Sequence, residues 1–102
     1  MRKHTQIYMD ALGFDKTDFM PCELSCQQGI DVHHVIGRGK GGEDRIENLM
    51  LLTRELHHKL GDKKEHMVYL LTKHMNYLAV NSVDFDIKWF DEKIKYYKAI
   101  AV

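Results

Sequence analysis

The longest regular pattern in this chain is a stripe of Met67, Leu70, Leu71, His74, Tyr77 and Leu78, recurring at intervals of three and four. That spacing places all six side chains on one face of an α-helix, and the face needs another surface to cover it. Asp62 stands where an N-cap of this helix would be. Asn81-Ser82 interrupts the pattern. Ile87, Phe90, Ile94 and Tyr97 then share a face of a last amphipathic segment, with Asp84 or Asp86 as its cap. Segment 62–102 therefore reads as two C-terminal amphipathic helices. In a chain of 102 residues, two such helices claim much of the core, and a chain this short buries only about two-thirds of its unfolded surface. The expectation is one domain, residues 1–102, with no repeat and no low-complexity tract.

The N-terminal half has to supply the covering surface. Ile7, Tyr8, Ala11 and Leu12 lie at helical spacing and stop at Gly13, which predicts an N-terminal helix over 5–12. Residues 14–21 read as a connector. From Gly29 the pattern turns β-branched: Ile30, Val32, Val35 and Ile36, bounded by Gly29 and Gly37, predict a strand. A glycine-rich loop follows, and then Leu49-Met50-Leu51-Leu52, too short a run to separate strand from helix by periodicity. Thr53 is placed to N-cap a helix from Arg54 to Leu60 that ends at Gly61. Strand, loop, strand, helix across 29–61, flanked by helices, gives an α+β fold class.

Composition narrows the function classes. The chain is 44% hydrophobic and 29% charged, an ordinary globular balance. No apolar run approaches the roughly 20 residues of a membrane span. The opening Met1-Arg2-Lys3-His4-Thr5 has no apolar core behind its charges, so the expected location is cytoplasmic. Formal net charge is zero, without the basic surplus common in nucleic-acid binders. Any phosphate contact has to be local, and Arg38, Lys40, Arg45, Arg54 and Lys59 are the candidates. Cys22 and Cys26 are too few for a disulfide scaffold and read as free thiols.

Five of the seven histidines fall between positions 33 and 66, two pairs of them adjacent: His33-His34 and His57-His58. Imidazole is the commonest metal ligand and the commonest general base near neutral pH. His4, His66 and His74 read as ordinary surface or packed residues, His74 because it lies on the apolar stripe. The two pairs differ because of what stands between them. Asp31-Val32-His33-His34-Val35-Ile36, the glycines at 41 and 42, Ile46-Glu47-Asn48-Leu49-Met50-Leu51-Leu52 and Arg54-Glu55-Leu56-His57 follow one another, with Asn48 fourteen residues after His34 and His57 nine after Asn48. In order and spacing this stretch, within a motif core of 22–61, resembles the HNH endonuclease family, in a small phage-like form.

The resemblance implies a ββα-metal (His-Me finger) core that grips one divalent ion and hydrolyses DNA phosphodiester bonds, by nicking or double-strand cleavage. It makes His34 the general base that activates water. His33 and His57 become the metal ligands, and Asn48 orients the loop and the His34 backbone. Arg38, Lys40 and Arg54 are then the nucleic-acid-binding residues. An ideal strand points His33 and His34 to opposite faces, so the ligand would face the helix and the base the substrate. Many relatives carry a structural zinc on two C-x-x-C pairs. Here those four places hold Cys22, Ser25, Thr53 and Leu56, and no structural zinc is expected, the C-terminal helices supporting the finger instead. Gly61 stands where some relatives place a further histidine ligand. His58 is turned about 100° around the helix from His57. The two-ligand site suits an exchangeable Mg²⁺, Mn²⁺ or Ni²⁺, and also Zn²⁺. DNA is the expected partner, joined by a second copy of the chain in a homodimer or by a protein that delivers DNA. The competing expectation is a non-catalytic DNA-binding or assembly accessory that keeps the finger.

Overall fold

The computed structural model describes residues 1–100. It contains helix α1 (Lys3–Leu12), strands β1 (Asp31–His34) and β2 (Leu49–Leu52), then helices α2 (Arg54–Leu60), α3 (Lys64–Val80) and α4 (Ile87–Ile100), an α+β arrangement. The strands form a two-stranded antiparallel sheet in which Asp31 faces Leu52, Val32 faces Leu51, His33 faces Met50 and His34 faces Leu49. The chain between them makes two single 3-10 turns, at Arg38–Lys40 and Ile46–Asn48. No described helix is long and apolar enough to cross a membrane.

All four β2 residues are buried, because both faces of the sheet are covered. Met50 and Leu52 belong to the larger core, with Val35, Ile36, Met67, Leu70, Leu71, Leu78, Trp89, Phe90 and Tyr97. Leu49 and Leu51 point the other way, against Tyr8 of α1. The sheet thus lies between α1 on one side and the C-terminal helices on the other, and period-two alternation decides which side each strand residue serves. A strand covered on both faces loses the polar alternation that would have marked it.

Several local expectations need correction. The first strand is Asp31–His34 rather than 30–36, and Ile30 is 54% exposed while Val35 and Ile36 turn into the core beyond the strand's end. Asp62 does not cap α3: it takes a left-handed conformation (φ 59°), and Lys63 precedes the helix without a side-chain cap. Asp86 caps α4 by accepting from the Trp89 amide at 3.2 Å. Ile87 is exposed, and Trp89 takes its place beside Phe90 and Tyr97 on the buried face. Thr53 accepts from the Leu56 amide at 3.2 Å, and Gly13 ends α1 with φ 76°, as those residue types favour.

Candidate functional site

Strand alternation sets the site's two walls. Asp31 and His33 are two residues apart on β1 and point to the α2 side, while His34 points to the α1 side with Val32. On the first wall the His33 and His57 rings have centroids 4.4 Å apart. The His57 Nδ1 donates to Asp31 Oδ2 at 3.0 Å, and the other Asp31 oxygen accepts from Arg54 at 3.1 Å. Arg54, ahead of the opposing effect of burial, and then His57 hold the Asp31 carboxyl below its usual value. An ionised carboxylate only accepts hydrogen bonds, so Nδ1 of His57 carries the hydrogen and Nε2 keeps its lone pair.

His33 is only 4% exposed, and its Nε2 is sealed from solvent with no hydrogen-bond partner among the described residues. Burial, reinforced by the neighbouring His57, pushes this imidazole down to about 4, so it is neutral at pH 7. Gly61 closes the wall from below. A Cβ there would lie 2.5 Å from the His57 carbonyl oxygen, 2.8 Å from His57 Cδ2 and 3.2 Å from His33 Cε1. The glycine is required by close approach to both rings, and a ligating side chain at position 61 has no room.

On the second wall the His34 Nε2 meets Asp44 Oδ1 at 2.6 Å, and Arg38 donates to the same carboxylate at 3.2 and 3.4 Å. The His34 hydrogen bond outweighs burial in keeping the Asp44 carboxyl below its usual value. The His4 ring of α1 stacks 4.6 Å from that of His34, tilted by 52°. Burial, then the charges of His34 and Arg38, lower the His4 pKa. One ring nitrogen each of His4 and His34 and one Asp44 oxygen lie within 4.8 Å of one another. Both walls border one cleft of about 320 Å³, lined by Arg2, His4, His33, His34, Arg38, His57 and Asp62 among others.

Asn48 is wholly buried beneath the loop that follows His34. Its Oδ1 accepts from the Ile36 amide at 2.8 Å, its Nδ2 donates to the Ile36 and Glu43 carbonyls at 3.0 Å, and its own carbonyl accepts from the Val35 amide at 2.9 Å. Its side chain ties the loop to itself two residues beyond His34 rather than at His34. Of the expected phosphate contacts, Arg38 lines the cleft and Arg54 lines the adjoining surface beside His57, their side chains 62% and 65% exposed. Lys40 lies elsewhere, in a groove with Lys64, Lys93 and Tyr96. Arg45 is spent inside the fold, on Glu47 at 2.9 Å and above the Trp89 ring at 5.5 Å. His58 lines the neighbouring surface with Arg54 and Asp31.

Asp31, His4 and Asp44 were missed as site residues. Asp31 carried a usable signal, since a residue two before His33 on a strand shares its face. His4 carried none, because only the packing of α1 against β1 and β2 brings it to His34. At the four places a structural zinc would need, Cys22 is buried, Ser25 is exposed, Thr53 is spent as a cap and Leu56 packs on the core. Compared with protein-family profiles, curated proteins and solved structures, the chain finds no match.

Proposed function

We propose that the chain is a small metal-dependent endonuclease of the HNH type, phage-like in its compactness, that hydrolyses DNA phosphodiester bonds. The observation that carries this reading is the meeting of His33 and His57 across β1, β2 and α2, with ring centroids 4.4 Å apart, beside His34 in one cleft. Strand, strand and helix in that order correspond to a ββα-metal finger.

The donor set fits one divalent ion. His33 is a neutral imidazole with an unpartnered buried nitrogen, and Asp31 fixes the His57 tautomer that leaves Nε2 free. Two imidazoles suit first-row transition ions such as Mn²⁺, Ni²⁺ and Zn²⁺, and the open positions leave room for the waters that Mg²⁺ keeps. When bound, the ion offsets charge on the scissile phosphate and on the departing oxyanion. The chain's own residues do the rest. Asp44 accepts the His34 Nε2 hydrogen, so Nδ1 keeps the lone pair that takes a proton from the attacking water. Asn48 holds the backbone next to that base. Arg38 and Arg54 bind the flanking phosphates, and Lys40 meets the DNA farther along, in its separate groove. One cleft cuts one strand. Double-strand cleavage calls for a homodimer or a second nick, and the neutral net charge leaves a place for a partner protein that delivers DNA.

A second reading, a non-catalytic DNA-binding accessory, is favoured by one observation: Asp44 engages both His34 and Arg38. Incubating supercoiled plasmid with the chain and each of the four ions separates the two. Nicked or linear product with at least one ion is expected. Intact plasmid with every ion, combined with a retarded band on a gel, would leave the accessory.

A further inference from the structure

Helix α1 brings a fourth imidazole to the cleft, on the wall with His34. His4 is 8% exposed, stacks 4.6 Å from His34, and its Nδ1 is sealed from solvent with no hydrogen-bond partner among the described residues. A buried nitrogen left without a partner is costly, and a water or an ion is a usual partner for one that proteins keep. One His4 ring nitrogen lies within 4.8 Å of a His34 ring nitrogen and an Asp44 oxygen, and the His34 Nε2 and the Asp44 Oδ1 are 2.6 Å apart. We propose that His4, His34 and Asp44 form a second metal site, separate from the His33–His57 pair, that takes a single zinc-class transition ion.

Two imidazoles and one carboxylate are the donor types zinc selects, whereas Mg²⁺ prefers an octahedral oxygen shell. Three protein ligands leave a fourth tetrahedral position to water. Ligand atoms around a zinc with bonds of about 2.0 Å stand roughly 3.3 Å apart in tetrahedral geometry. The Asp44 oxygen therefore draws back by less than an ångström from its hydrogen-bonding position. The ion takes the place of the hydrogen between Nε2 and Oδ1, and the neutral ring changes tautomer so that its single hydrogen sits on Nδ1. Like charges oppose binding: Arg38 holds Asp44, and Arg2 lines the cleft. Arg38 is 62% exposed and free to swing into solvent, so its opposition is screened.

The site itself stands apart from the nuclease reading; its consequence for cleavage rests on that reading. An ion on the His34 Nε2 fixes the ring's hydrogen on Nδ1, so no lone pair is left to take a proton from water and the base is removed. Zinc filling this second site then inhibits cleavage that an ion at the His33–His57 pair supports.

Calorimetric titration of the whole chain with Zn²⁺ is the test. The wild type takes two ions. His4→Phe, which keeps a ring in the packing, and Asp44→Asn, at a side chain 24% exposed, each weaken one of the two sites by ten-fold or more, roughly the loss expected on removing a coordinating partner. His57→Ala weakens only the other site, and Arg38→Ala tightens the one at His4. Zinc binding by both His4→Phe and Asp44→Asn that is indistinguishable from wild type overturns the proposal, whichever variant folds less well. A chain that never cuts plasmid defeats the nuclease reading and leaves this titration fully decisive for the site.

Discussion

His33 is held neutral by its surroundings, and this gives the folded chain a measurable pH dependence. Below about pH 6.5 the unfolded chain takes up a proton at His33 that the folded chain refuses until about pH 4. Stability contributed by the neutral ring is complete above pH 6.5 and is lost as pH falls toward 4. For a side chain 4% exposed the loss amounts to about 3 kcal/mol, at 1.36 kcal/mol per unit. Urea unfolding in a chelator at pH 7 and pH 4.5 checks it: wild type loses more stability than His33→Gln over that interval. Equal losses would place the His33 ring in water. Asp31 acts at the same scale, choosing which His57 nitrogen carries the hydrogen. Both are single-residue effects that a two-residue strand period already contains.

At the scale of elements, the loop between β1 and β2 is held by residues that also reach α4. Glu47 is 6% exposed and accepts from Arg45 at 2.9 Å and from the Asp86 amide at 2.8 Å. Burial alone would raise the Glu47 pKa, but these two donors outweigh it and hold the carboxyl low. Arg45→Ala leaves a buried carboxylate short of its partner and uncovers Trp89, so a loss of about 2–3 kcal/mol is expected in thermal or urea unfolding. A change below about 0.5 kcal/mol would class Arg45 with the exposed arginines. The sequence marked Arg45 as a phosphate contact because charge on a glycine-rich loop is all that local pattern shows. Its real partners, Glu47, Asp86 and Trp89, include two residues more than forty positions away. The elements themselves were more legible. Thr53, Gly13 and Gly61 carry their signals in residue type, and α3 in its spacing. The extent of β1, the start of α3 and the Trp89 face of α4 were set by tertiary packing that propensity does not contain.

The whole molecule explains how a motif core without zinc cysteines keeps its shape. Glu23 sits in the loop where those cysteines would begin, its side chain 1% exposed, and accepts from Tyr8 of α1 at 2.7 Å while meeting the His74 Nδ1 at 2.7 Å. The His74 Nε2 donates to the Ile46 carbonyl at 2.7 Å. One buried network thus fastens α1, the 22–28 loop, the β1–β2 connection and α3. His74 is therefore core, as its place on the stripe implies, and also a polar tie that the stripe gives no sign of. EDTA should leave the helical circular dichroism and cooperative unfolding in place, whereas Glu23→Ala, stranding Tyr8 and His74, should cost about 3 kcal/mol or more. Unfolding in EDTA would instead show that an ion holds the fold. Within that frame α1 covers one sheet face and the C-terminal helices the other, so His34 and His33 open onto two walls of one cleft. The division of labour between those walls is the centre of the account. Paired measurement of Mn²⁺ affinity and of single-turnover plasmid cleavage for wild type, His34→Ala and His57→Ala tests it most directly. His34→Ala is expected to lose cleavage by about 10²-fold or more while keeping its ion, and His57→Ala to lose the ion and cleavage together. Cleavage by His34→Ala at the wild-type rate, or unchanged ion affinity in His57→Ala, would contradict it.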